Sequence, residues 1–393
     1  MLPVMISVEE AKRSMLMQVP ITSAELVTLE NAAGRFTTAT ITSPTEHPLF
    51  DMSAVDGYAF LLKDDGPWHV VGEVPAGGVL EHPLRSGECA RIFTGAKLPV
   101  GADTVVMQEF VSREDQQITH NDIRLKPGAN VRRRGEQVRM GDVLLTAGSR
   151  MDPEAIGLLA SVGIKQVEVC RSPKVTVLLT GNEFLEEGRA EEGKIHSSNG
   201  SMLVAALKGS GVEADALYAR DDLQALDEAM QQALKSDVII STGGVSVGDH
   251  DLVREAVERN GGKVHFHGVA QKPGKPMLFA TFGQKVFFGL PGNPRAVMVL
   301  FWEYVWPFLR AMQGATEPWL PFDQLPLEGP LNVKGERGEF RAVRVRGGLV
   351  TLLKDEGSHM LKSLRQANAI AYIPAGTQAL SVGMKVEVHY LPR

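Results

Sequence analysis

The stretch "DVIISTGGVSVGDHDLVREAVERNG" (residues 237–261) decides how the centre of this chain folds. Its opening "DVII" is a short apolar, β-branched run, and its closing "LVREAVERNG" carries apolar residues at helical spacing. Between strand and helix lie Gly243, Gly244 and Gly248, the hydroxyls of Ser241, Thr242 and Ser246, and the acids Asp249 and Asp251. Glycine lets backbone approach a ligand or take positive φ, and N–H groups that open a helix suit an anion. Two acids conflict with that use unless a divalent cation stands between acid and phosphate. The competing use of Asp249 and Asp251 is helix N-capping, which serves the helix dipole with no metal. The reading adopted is one acid as cap and the other reaching the ligand.

Working outward, residues 172–312 alternate apolar strands with helical patterns. "KVTVLLTG", "ADALYAR", "DVIISTGG", "KVHFHGV" and "KVFFGLPGNP" read as strands, and "SMLVAALKGSG", "LQALDEAMQQALK" and "LVREAVERNG" as helices. This alternation predicts a wound α/β sheet with parallel strands. The flanks differ. "SVEEAKRSMLMQV" predicts a helix from about Ser7, with Ser7 and Glu10 at capping-box spacing. From Leu29 to about Arg150, short β-prone runs such as "WHVVGEV", "ADTVVMQEFV" and "DVLLTAG" predict β-rich structure. "MDPEAIGLLASVGI" then predicts a helix with Pro153 in its first turn and Gly163 near its end. After Pro318 helical periodicity stops, and two alternating stretches predict a small all-β domain.

The 393 residues exceed one compact core and argue for several domains. A formal net charge of −6 gives no basic footprint for nucleic acid, so any anion must be bound locally. Cys89 and Cys170 lie far apart and imply neither a disulfide framework nor a zinc site. The N-terminus lacks the basic-then-apolar order of a signal peptide, and "VMVLFWEYVWPFL" (297–309) is broken by Glu303 and Pro307 and too short for a bilayer. A cytoplasmic, non-membrane protein is expected.

Open α/β sheets bind ligands at the carboxyl ends of their strands. "TGNE" (180–183), "STGGVSVGDHD" and "LPGNP" (290–294) occupy three such ends, and their agreement says more than any one of them. Glu183 and Asp222 add carboxylates at strand ends. "QKPGKP" places Lys272 and Lys275 on a stiffened loop, where they suit an oxyanion as point charges or serve as a solvated turn. Other motifs fail. "GVAQKPGKP" has the wrong glycine spacing for a P-loop, "TGNEF" is no dinucleotide fingerprint, and His265 with His267, read as sharing a strand face, lack a third metal ligand. In the β-rich half, "PLFDMSAVDGYAF" (48–60), "RIFTGAKLPVGADTVVMQE" (91–109) and "VRRRGEQV" (131–138) are dense in turn residues and polar groups. The residues themselves give an anion- and metal-binding α/β domain joined to β-rich modules, with the chemistry open.

"FDMSAVDGYA", "TGAKLPVGADTVVMQE", "RRRGE", "STGGVSVGDHD", "KPGKP" and "GLPGNP", in this order, resemble the MoeA family of molybdenum-cofactor biosynthesis across effectively the full chain. The resemblance implies a multidomain α/β plus β protein. Residues 1–44 and 141–171 would form a discontinuous linking domain, 45–140 a β-rich domain, 172–315 a molybdopterin-binding α/β/α domain and 316–393 a C-terminal β-barrel. It implies a homodimer that inserts molybdate into adenylylated molybdopterin with Mg²⁺, releasing AMP and molybdenum cofactor. Its expected partners are a molybdopterin adenylyltransferase and molybdoenzyme acceptors.

By the same resemblance, Gly243, Gly244, Ser246 and Gly248 would cradle phosphate or adenylate, and Asp251 with Asp249 would work with Mg²⁺. Asp222, Lys272, Pro291, Gly292, Asn293 and Pro294 would bind substrate, and Asp56, Thr94, Glu183 and Lys275 would act at the reacting centre. Where the family commonly has "RRRGED" this chain has Gln137; Asn182 replaces an aspartate, and "HSSN" (196–199) stands for "YDTN". Rival readings are an adenylyltransferase-like enzyme, which would lack the "DGYA" and "TGA" modules, and a cofactor-binding scaffold with weakened catalysis.

Overall fold

The computed structural model describes residues 5–64, 66–181, 192, 194, 196–245, 251–333, 335–354, 357 and 360–392. The first helix, Val8–Leu16, starts as its sequence predicts. Ser7 accepts from Glu10 N at 3.1 Å, and the Glu10 carboxylate accepts from Ser7 N at 2.8 Å. Its apolar stripe, Val8, Ala11 and Met15, is buried in the core of the α/β unit, and Ile6 bridges Val269. The helix therefore docks away from the remaining residues of the 1–44 segment.

Those remaining residues pair with a distant part of the chain. Ala24–Thr28 runs antiparallel to Gln166–Cys170, Phe36 bridges Arg150, and Ile41–Thr42 pairs with Val143–Leu145. Helix Pro153–Ser161 lies in the same region. Asp152 caps it through Ala155 N at 2.8 Å, and proline stands in the first turn, where a missing N–H costs nothing. Between these segments a six-stranded sheet takes the order Thr104–Met107, Gly57–Phe60, Glu88–Ile92, Trp68–Val74, Gln117–His120, Val111–Glu114.

The central sheet takes the order Ala214–Ala219, Val175–Thr180, Val238–Thr242, Lys285–Leu290, Leu278–Phe282, Lys263–His267. Its first four strands are parallel. The last two correct the expectation of a parallel sheet, because both join antiparallel. Leu278–Phe282 and Lys285–Leu290 form a hairpin across Gly283, which needs no crossover helix. Neighbouring residues bury opposite faces. Val177, Leu179, Ile240 and Phe288 pack under helices Asn199–Gly209 and Pro294–Leu300, while Leu178, Ile239 and Phe287 pack under Leu223–Ala233 and Leu252–Arg259. Each such aliphatic or aromatic side chain contributes about 2 kcal/mol by leaving water.

After the α/β unit, a sheet takes the order Gln271–Lys272, Gly338–Arg346, Ala369–Ile373, Lys385–Tyr390, Phe322–Pro326, with Leu349–Leu352 also on Gly338–Arg346. An isolated bridge from Leu327 to Val350 brings the two sides of the expected barrel together. The region is not wholly β, since Lys362–Gln366 forms a short helix. Its first strand, Gln271–Lys272, comes from the lysine loop of the α/β unit. Among the described residues, no helix is long and apolar enough to cross a membrane.

Candidate functional site

Strands Val175–Thr180, Val238–Thr242 and Lys285–Leu290 end side by side, with Leu179, Thr242 and Leu290 in register. The chain then turns at Gly243, whose φ is +91°. A Cβ there would stand 2.3 Å from the Thr180 carbonyl oxygen. Only glycine fits this turn without strain. Gly243 N donates to Leu290 O at 3.2 Å, and Gly292 lies beside the Gly243 Cα. The buried Asn199 amide ties the same two loops, donating to Thr242 Oγ1 at 3.0 Å and Gly292 O at 2.8 Å. Sequence reading met Asn199 within "HSSN" and within the rejected glycosylation match "NGS" (199–201), and gave it no role in the site. Its place at the start of a helix, after a polar loop, was the available signal.

The carboxylates divide their work. Asp222 is the N-cap of helix Leu223–Ala233, accepting from Ala225 N at 2.9 Å. Its neighbour Asp221, which sequence reading passed over, lies next to Gly244; a Cβ on that glycine would be 3.4 Å from Asp221 Oδ1. Glu183, Ser246, Gly248 and Asp249 lie outside the described residues, as does Asn182.

Beside the strand ends a cavity of about 470 Å³ brings Lys272, Lys275, Pro291 and Asn293 together. Asn293 precedes helix Pro294–Leu300 as its N-cap residue, and Pro294 occupies the first turn. The cavity has a second wall that sequence reading missed, made of Glu339 and Arg341 from strand Gly338–Arg346 and of Arg337 just before it, and Arg295 lines it too. Arg341 pairs with Glu339, which leaves the lining strongly cationic. Burial, then the nearby charge of Arg341, holds the Arg295 guanidinium below its ordinary value. This is a basic cavity of ligand size, suited to an oxyanion. Two signals were present: Arg295 opens an otherwise apolar helix, and Glu339 and Arg341 alternate on one strand face.

Of the two parts expected for the acids of this loop, Asp251 takes the capping one. It caps helix Leu252–Arg259 by accepting from Arg254 N at 3.0 Å, and its other oxygen lies 3.1 Å from His267 Nε2. Only 7% of the Asp251 side chain is exposed. Among the described residues, no group of three His, Cys, Asp or Glu side chains is placed to hold a metal. His267 and His265 do not share a strand face. The register slips between Val264 and Phe266, so His265 packs on Phe279 and Thr281 while His267 faces Asp251. Burial lowers the His267 pKa, against the pull of Asp251.

In the β-rich unit, Asp56 and Thr94 come together as expected. Asp56 Oδ1 accepts from both the backbone N–H and the hydroxyl of Thr94, each at 2.8 Å. These bonds, the backbone one first, hold Asp56 below the usual carboxylate range. Gly57, next in "DGYA", is forced by packing, because a Cβ would sit 1.9 Å from Val106 O. Among the described residues, the hydrogen bonds of Asp56 and Thr94 stay within this unit. The arginine turn is knitted to the same surface. Arg133 meets Asp51 at 2.7 Å, Arg134 N donates to Asp51 at 2.8 Å, and Glu136 accepts from Arg133 N at 2.7 Å. Gln137 is exposed, its backbone bonded to His47 O. Both cysteines are buried, and burial pushes the Cys89 thiol up to about 12, so it stays protonated near neutral pH.

Comparison with known proteins agrees with this arrangement. Residues 6–163 match the MoeA N-terminal region (domain I and II), 176–311 a probable molybdopterin binding domain, and 324–391 the MoeA C-terminal region (domain IV). A molybdopterin molybdenumtransferase of Nostoc sp. is 36% identical over 94% of this chain and 89% of its own length. One from Haemophilus influenzae is 34% identical over 98% of each chain. The crystal structure of the molybdopterin biosynthesis moeA protein of Pyrococcus horikoshii superposes with a TM-score of 0.84 at 30% identity, covering 98% of this chain and 100% of that one. With its three regions in MoeA order and relatives alike over nearly their whole length, the chain belongs to the MoeA family.

Proposed function

We propose that this protein is a molybdopterin molybdenumtransferase that takes molybdate into the cationic cavity and inserts it into adenylylated molybdopterin. The observation that carries the reading is the convergence of Lys272, Lys275, Arg295, Arg337 and Arg341 beside the strand ends. Molybdate is a tetrahedral dianion. Cations placed around it, with Arg295 buried among them, stabilise both the bound ion and the charge that moves as its oxygens are exchanged for ligand sulfurs. The ligand brings its own thiols, so neither buried cysteine is required. The N–H groups of the Gly243–Gly244 turn and the loop tied by Asn199 are read as the phosphate-binding edge.

Asp56 enters this reading as an orienting group. A carboxylate held below its usual range is a weak base, and its two bonds fix the Thr94 hydroxyl in one direction. Because among the described residues that pair bonds only within the β-rich unit, we place it against the α/β cavity of a second copy, in a homodimer with two equivalent shared clefts. Asp251 Oδ1 is held by the helix cap, Oδ2 lies 3.1 Å from His267 Nε2 and Asp249 lies outside the described residues, so the Mg²⁺ role proposed for these two acids enters no step here. The proposed steps therefore rest on the protein's own cations. The linking region proposed for 1–44 and 141–171 is supported by the pairing of Ala24–Thr28 with Gln166–Cys170.

The test is AMP release by the purified protein from adenylylated molybdopterin, with and without molybdate. Molybdate-dependent release with formation of molybdenum cofactor is expected. Release that ignores molybdate, or consumption of ATP to make the adenylate, would assign the chain to another step.

A further inference from the structure

The two walls of the cavity belong to different parts of the chain, and a single turn reaches both. Residues Phe301–Val305 form a π-helical turn inside the long helix that ends at Met312. Pro307 explains it. Proline has no N–H and its ring clashes with the carbonyl four residues back, that of Glu303, so a widened turn relieves the conflict. Consecutive side chains Glu303 and Tyr304 are both buried, at 2% and 0% exposure.

They point to different walls. The Tyr304 hydroxyl donates to Gln271 Oε1, and Gln271 Nε2 donates to Pro273 O at 2.8 Å, in the loop that carries Lys272 and Lys275. Glu303 meets Lys12 Nζ at 2.8 Å and His389 Nδ1 at 2.7 Å. His389 pairs across its sheet with Ile370, and the next residue, Ala371, pairs with Arg341. The turn thus reaches the lysine loop through side-chain hydrogen bonds, and the strand of Arg341 through His389 and the register of its sheet.

We propose that the Phe301–Val305 turn is a positioning element for the oxyanion cavity. Tyr304 sets the lysine loop through Gln271, and Glu303 sets the arginine strand through His389. Neither touches the ion; each fixes the spacing of groups that do. The inference rests on the reading of the cavity as the molybdate site.

The experiment measures the molybdate concentration for half-maximal AMP release, the saturating rate and the melting temperature of the full-length protein. Tyr304→Phe keeps the ring and removes the hydroxyl. It should raise half-saturation about five- to tenfold, the effect of one buried hydrogen bond, and leave the saturating rate within about twofold. Gln271→Met, which gives the same readout if Tyr304→Phe fails to fold, should act alike, and the double variant should be no worse than Gln271→Met alone. A lowered melting temperature with unchanged half-saturation in the folded variants would overturn the inference, as would additive effects. Lys275→Ala separates the two levels. If it alone shifts half-saturation, the cavity reading stands and the positioning role falls; if it too has no effect, the cavity reading falls.

Discussion

Replacing Gly243 with alanine tests whether the strand-end turn must be as tight as it is. Two costs add. A φ of +91° disfavours any Cβ by roughly 1–2 kcal/mol. The approach of 2.3 Å to Thr180 O also forces a backbone shift, worth roughly a further 1–3 kcal/mol by analogy with overpacked cores. Gly211 supplies the control, because its φ is +74° but nothing lies within 4 Å of its added Cβ. Gly211→Ala should thus carry only the first cost. The difference, about 2 kcal/mol, corresponds to roughly 4–8 °C in the melting of a unit of this size. Gly243→Ala should also strain the 3.2 Å bond to Leu290 O and lower turnover on the order of a hundredfold through misplaced phosphate contacts. Melting curves and AMP release of the two variants, run side by side, check both parts. Equal melting temperatures would show that the loop yields cheaply, and unchanged turnover would remove the turn from the site.

Three further outcomes follow from the geometry. His389 is drawn down by burial but raised overall by the bond to Glu303 and its charge, while burial of Glu303 is outweighed by Lys12 and His389, which lower it. Stability from His389 is therefore complete below 6.5 and lost as pH rises through its higher folded value; that from Glu303 is complete above 4.5 and lost as pH falls through its lower one. Melting scans should show a maximum between these limits, and Glu303→Gln should remove it and cost about 3–5 kcal/mol; a flat profile in the native protein would contradict the clasp. For Asp251, asparagine keeps a capping oxygen, so Asp251→Asn should melt close to the native protein while Asp251→Ala loses about 1 kcal/mol or more. A raised Mg²⁺ requirement in the asparagine variant would instead mark Asp251 as a ligand. Finally, Asp56→Ala and Lys275→Ala chains, each slow at limiting molybdate and differently tagged, should regain activity there in co-expressed heterodimers, since one shared cleft would be intact; folded heterodimers as slow as either parent would place each site within a single chain.

The sequence carried the α/β unit because its strands and helices have distinct apolar periods, and the turn residues of "STGG" and "LPGNP" mark where the strands stop. Strand direction has no such mark. Nothing local in "KVHFHGV" reports that its partner runs the other way or that the ladder slips at His265. The site divides likewise. The gathering of the "STGG" and "LPGNP" loops at one sheet edge was legible, whereas Asp56 and Thr94, 38 residues apart, meet through the pairing of Gly57–Phe60 with Glu88–Ile92 and were expected only from the family resemblance. Arg337 and Arg341 were not, because their place in the cavity depends on a second sheet docking through Gln271–Lys272. Asp251 shows a local rule at work: residue type alone allowed metal or cap, and the adjoining helix takes one of its oxygens as the cap.

The central claim, that molybdate binds between the lysine loop and the arginine strand, is tested most directly by an anomalous difference map. It would be recorded at the molybdenum absorption edge from crystals soaked in molybdate. The account predicts a strong peak within hydrogen-bonding reach of Lys275 and Arg341, which disappears in the Lys275→Ala protein. A peak at the Asp251–His267 pair or at the Arg133 turn, with the cavity filled only by water, would contradict it.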